Sequence, residues 1–192
     1  MSLAKPMILA VIMLLVISAG LMAQNDQFGK MDTVYAEPYQ IDAKNWAVNV
    51  SMFNDEEIIA ISIPLVFNAG KTAIVADSTV FKGGVAESFR VKHARVDTAT
   101  QCVTIGLIAD VGVSVPPIPP GKGRVATIFL SALDKSDFKL MSVDTTTTPP
   151  GNDLQLVKPP TEGIVPIFVV KKAEKAAKED VEKKEKVEKK EG

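Results

Sequence analysis

"DEEIIAISIPLVFNAG", residues 55–70, places ten residues, Ile58 to Phe67, behind three acids, and only Ser62 among the ten is neither apolar nor proline. A run of this kind suits a buried helix, a membrane segment or a strand, so its period has to decide. Ile59, Ile61, Ile63, Leu65 and Phe67 fall on one side of a two-residue repeat, opposite Ile58, Ala60, Ser62, Pro64 and Val66. Strict alternation of large aliphatics with smaller residues marks a strand with one core-facing side. β-Branched isoleucine favours the same state, and a proline inside a helix costs about 3 kcal/mol. The stretch is therefore expected to be a strand. Pro64 has no N–H to give a ladder, so it is expected on an edge strand or at a bulge.

The same period extends outward from there. From Met31 onward residues alternate, and in "NWAVNVSMF" Trp46, Val48, Val50 and Met52 share one face while Ala47, Asn49 and Ser51 share the other. Further strands are expected near 74–82, 86–97, 101–109, 123–132, 138–145, 153–158 and 164–170. Between them stand the turn signals "NAGK", "KGG", "DTATQ", "PPIPPGKG", "DKSD" and "TTTTPPGN". Many short strands with Gly/Pro/Asp turns and no helical period imply an all-β, antiparallel sandwich or barrel.

The ends of the chain differ from this body. Residues 1–23 carry Lys5, then the apolar stretch Met7–Ala23, with Ala23 and Leu21 at the −1 and −3 positions of a cleavage site. This is the pattern of a secretory signal peptide, so the protein is expected to be secreted or held in the cell envelope. An uncleaved membrane anchor is the rival, because about 17–25 apolar residues suffice to span a bilayer. Residues 24–170 form the expected domain, long enough to build its own core. The tail, residues 171–192, holds nine lysines and seven acids, with i,i+4 Glu–Lys pairs such as Glu174–Lys178 and Glu185–Lys189. It is expected to be a solvated helix or a disordered extension, since Val181 and Val187 are too few for a packing seam.

Composition excludes several functions. Lys+Arg 22 against Asp+Glu 23 leaves no net charge that would select nucleic acid. Cys102 is the only cysteine, which rules out an internal disulfide and a lipobox, and it is expected as a buried side chain. His93 is the only histidine, so any Ser–His–Asp or Cys–His site must use it, and no GxSxG accompanies it. One histidine and one cysteine are too few for zinc. No cofactor is expected, and no DxDxDG loop supports a structural calcium. Asp55, Glu56 and Glu57 are expected to solvate a loop. "NVS" at 49–51 is a formal glycosylation sequon. Tyr35, Tyr39 and Trp46 lie close in sequence and are the candidate ligand-binding residues, because flat rings stack on sugar faces; core packing is the competing role of Trp46.

The succession "WAVNVSM", "IIAISIPLVFNAGKTAIVADSTVFKGG", "CVTIGLIAD" and "GKGRVATIFLSA" resembles the cohesin-like module, over residues 31–135. Residues 58–83 and Gly121–Ala132 stand where cohesins have two characteristic strand runs, with Asn68-Ala69 in place of the frequent Asp-Pro. The resemblance implies a jelly-roll sandwich of about nine strands, shared with cellulose-binding modules. It also implies a non-catalytic module that recognises a dockerin-like protein or a polysaccharide. Two other classes stay open beside it: a secreted glycoside hydrolase using carboxylates, and a structural envelope protein assembling through sheet edges.

Overall fold

A computed structural model describes residues 30–109, 115–172 and 174–175. The expected signal peptide lies outside the described residues, as does nearly all of the charged tail. The strands are β1 (Thr33–Gln40), β2 (Asn45–Asn54), β3 (Ala60–Asn68), β4 (Ile74–Val80), β5 (Val91–Asp97) and β6 (Cys102–Ile108). They continue with β7 (Gly121–Ala132), β8 (Ser142–Thr145), β9 (Gln155–Lys158), β10 (Glu162–Ile164), β11 (Ile167–Val170) and β12 (Glu174–Lys175). One sheet runs β11-β1-β2-β7-β4 with β12 also on β1, and the other runs β10-β9-β3-β6-β5 with β8 also on β3.

The two sheets pack face to face, and the alternation seen in sequence supplies the core. Ile61, Ile63, Leu65 and Phe67 are buried, together with Val103, Ile105 and Leu107 of β6. Across the sandwich stand Val34 and Ala36 of β1, Trp46, Val48, Val50 and Met52 of β2, and Ile128 and Leu130 of β7. Each such aliphatic contributes roughly 1.5–3 kcal/mol by leaving water. Ile58 departs from the alternation. It precedes the strand and exchanges both backbone hydrogen bonds with Ile118 (3.0 and 2.8 Å), which buries it completely.

Pro64 is on neither an edge strand nor a bulge, because β3 is paired on both sides and its register with β6 is unbroken. The explanation lies on the other flank, where β9 pairs with residues Ala60 to Ser62 and β8 begins only at Leu65. The Pro64 carbonyl accepts from Thr146 N at 3.4 Å, so its ring nitrogen points to the same side, into the seam between β9 and β8. The missing N–H therefore leaves no ladder partner stranded. Pro38 repeats the device: it pairs with Val48, while its other side falls between β11, which ends opposite Ala36, and β12, which starts opposite Tyr39.

Other departures have local causes. The pairings of β1 with β11 and β12 are parallel, so the sandwich is not wholly antiparallel. Residues 86–90 are turns rather than the start of β5: Ala86 and Phe89 are both buried, three residues apart, and close one end of the core. The Lys92 ammonium donates to the Glu87 and Phe89 carbonyls and holds that turn. In β7 the adjacent apolar pair Val125-Ala126 faces inward because a register shift opposite Val50/Ser51 inserts one residue.

Two substitutions separate these effects. Ile63→Ala should lower unfolding free energy by about 2–5 kcal/mol in urea titrations. Pro64→Ala should cost no more than about 1 kcal/mol, through unfolded-state entropy, since no ladder bond changes. Equal losses would show that Pro64 is held by more than the seam.

Candidate functional site

The aromatic candidates do not come together. Trp46 lies opposite Gln40 in the β1–β2 ladder but points inward, is 5% exposed, and donates its indole N–H to the Phe138 carbonyl at 3.2 Å. A ring placed there packs the core and offers no face to a ligand. Tyr35 and Tyr39 are half-buried on the outer side of β1, four residues and so about 13 Å apart. The two tyrosines share a face, whereas Trp46 lies on the opposite side of the same sheet.

Among the described residues no catalytic constellation forms around His93. Its ladder partner is Gly106, whereas Cys102 sits opposite Asp97, four residues along β5 and so about 13 Å away. Cys102 is buried and its thiol donates to the Thr100 carbonyl at 3.3 Å. Asp97 serves the β5–β6 turn: the Thr100 side chain and the Thr100 and Ala99 amides hold its carboxyl below the usual range. The acidic cluster is also engaged. Glu56 pairs with Lys158 at 2.7 Å, which raises the lysine above its ordinary value, and Asp55 accepts from Lys30 N at 2.7 Å. Among the described residues no group of three or more His, Cys, Asp and Glu could hold a metal.

The arrangement suited to recognition is a sheet surface. On the outside of β5, β6, β3 and β9 the ladder aligns Val91, Ile108, Ala60 and Val157 in one row and His93, Gly106, Ser62 and Gln155 in the next. In the third row, Thr104 donates to Asn152 at 3.0 Å, so the chain after β8 covers the sheet beside Pro64 and Thr104. The cover stops short of Gly106, where an added Cβ would meet nothing within 4 Å. Small residues thus floor a flat opening, with Val91 (46% exposed) and Ile108 (41%) as apolar rim and His93 and Arg95 as exposed donors. No local pattern marks Gly106, because its character depends on which strands flank it.

No family model matches this chain, and no curated protein matches it. Several solved structures do, and all share the sandwich. One is the sixth cohesin of Acetivibrio cellulolyticus scaffoldin B in complex with a mutant Cel5 dockerin, at 10% identity and TM-score 0.53, covering 74% of this chain and 100% of that one. Another is the Coh3ScaB–XDoc_M1ScaA complex from the same organism, a type II cohesin–X-dockerin complex, at 14% identity and TM-score 0.50, covering 74% and 96%. A third is the type I complex Coh-OlpC–Doc435 from Clostridium thermocellum, at 10% identity and TM-score 0.50, covering 76% and 92%. The chain has a cohesin-like fold.

Trp46→Ala should cost about 3–5 kcal/mol of stability, as for other buried aromatics, with emission in the wild type blue-shifted by burial. A variant of unchanged stability would return Trp46 to the surface.

Proposed function

We propose that this chain is a non-catalytic binding module whose β5–β6–β3–β9 face docks a protein partner of dockerin type. The observation that carries this reading is the uncovered floor at Gly106, on a sheet whose adjoining row is sealed by Asn152. A flat surface with small residues in its centre lets a partner's backbone approach closely. His93, Ser62 and Gln155 then supply hydrogen bonds, and Val91 and Ile108 supply apolar area at the edge of the contact. Solved cohesins with this fold are found in complex with dockerins, which supports a protein as the occupant. A chemical step is not needed, and the described carboxylates at Asp55, Glu56 and Asp97 are occupied in holding loops and turns. The N-terminal segment supports export, and mass spectrometry of the protein recovered outside the cytoplasm would check a start at Gln24.

The test is a titration of the full chain with purified dockerin-bearing proteins from the source organism. Gly106→Arg projects a long side chain into open space, so it should leave Tm within about 2 °C while weakening binding at least about tenfold, or 1.4 kcal/mol. Binding that survives Gly106→Arg would move the contact elsewhere. Failure of every dockerin to bind the wild type would end the reading.

A further inference from the structure

The strands that end the two sheet paths are β4, β5, β10 and β11, and they are not guarded alike. A free edge invites another strand unless a charge, a bulge or shortness blocks it. β4 has a register shift between Ala76 and Ser78, with Asp77 at the irregularity. β5 carries Lys92, His93 and Arg95 along its length, and β10 is three residues long and begins with Glu162. β11 has none of these devices. It reads Ile-Phe-Val-Val, and Ile167, Val169 and Val170 are 41, 36 and 43% exposed. Ile167 and Lys171 donate their amides to the Asp32 and Ala36 carbonyls, both at 2.9 Å. Alternate residues of a strand bond to opposite sides, so the backbone groups of Phe168 and Val170 point away from β1. Among the described residues no strand lies against them.

The chain's own remaining segments suit that position poorly. The described chain ends in β12 beside Tyr39 and Gln40, at the far end of β1 from Ile167. Beyond it, only Val181 and Val187 among residues 176–192 are β-branched, and residues 24–29, QNDQFG, have none. A second copy of β11 has the right form. Run antiparallel about a twofold axis at Val169, Phe168 of each copy exchanges two hydrogen bonds with Val170 of the other. This register keeps Pro166, which has no N–H, outside the reciprocal pairs, and it sets Lys171 opposite Ile167 rather than opposite its own counterpart. Lys171 is already paired with Glu37, so no like charges meet across the axis. We propose that the protein forms a symmetric dimer in which the two β11 strands pair antiparallel and join two six-stranded sheets into one. Such isologous pairing consumes both free edges and closes the assembly. The twofold stands perpendicular to the joined sheet, so the outer β5–β6–β3–β9 faces of both copies point the same way. The dimer does not depend on what binds that face.

Sedimentation equilibrium of the full chain tests the proposal. The wild type should reach twice the monomer mass at high concentration and dissociate on dilution. Val169→Lys places two ammonium groups at the axis and should raise the dimer dissociation constant at least about tenfold. Val96→Lys puts the same charge on an exposed position of the β5 edge and should leave the constant unchanged. A disulfide experiment does not rely on the folding of the lysine variant. Across the axis the two Val169 Cα atoms are about 4.5 Å apart, within disulfide reach. Val169→Cys should therefore give a disulfide-linked dimer under mild oxidation. Ile167→Cys should not, because its two copies lie more than about 13 Å apart. Cys102 is buried and takes no part. The proposal is overturned by any of three results: a wild type that stays monomeric, a Val169→Lys chain that dimerises as well as the wild type, or crosslinking at 167 in preference to 169.

Discussion

A proline can accept a ladder hydrogen bond but never donate one, and both sheets are arranged around that constraint. Pro64 lies in β3, the strand that pairs with three others, and Pro38 lies in β1, which also pairs with three. Each has an unbroken partner on one flank, β6 or β2, and on the other flank two short segments that meet at the proline. Where β8 gives way to β9, the chain must leave the sheet and return. The excursion carries Asn152 onto Thr104, so the seam that accommodates Pro64 also decides how much of the outer face is covered. The extent of the open floor at Gly106 thus follows from a missing N–H on the neighbouring strand.

How legible this was depends on how many contacts a feature needs. The alternation through Ile61, Ile63, Leu65 and Phe67 is visible because one face is buried along the whole strand, and a slip of one residue would invert it. The same held for Trp46 to Met52. β1 was harder to delimit, since Glu37, Pro38 and Gln40 interrupt its apolar period. The edge or bulge expected for Pro64 failed for a non-local reason: the local rule was sound, but a strand segmented by its neighbour satisfies it without being an edge. The parallel pairing of β11 depends on a long return of the chain that no local window contains. The inward turn of Val125 left only a doublet of apolar residues where alternation predicts one.

The site was less legible than the fold for a related reason. Three aromatics lie near one another in sequence, and residue parity across the β1–β2 ladder gives Trp46 the core-packing role its apolar face suggested while Tyr35 and Tyr39 turn outward. Tyr35 has company that spacing could not reveal, because Lys122 and Lys171 reach its ring from positions far away in sequence. His93 stood out as the only histidine, and its significance is positional rather than chemical: it flanks Gly106.

The open face has a physical signature of its own. Glycine within a strand is less stable than alanine by roughly 0.5–1 kcal/mol. Gly106 carries this penalty at the centre of the outer β5–β6–β3–β9 face, while the inward positions of the same strands are apolar. Sequence, pairing and packing agree in the core, so a glycine that costs stability on the outer face has no use to the fold itself. A side chain at 106 would fill space without a clash, and that is the reason to connect this position with binding rather than with folding.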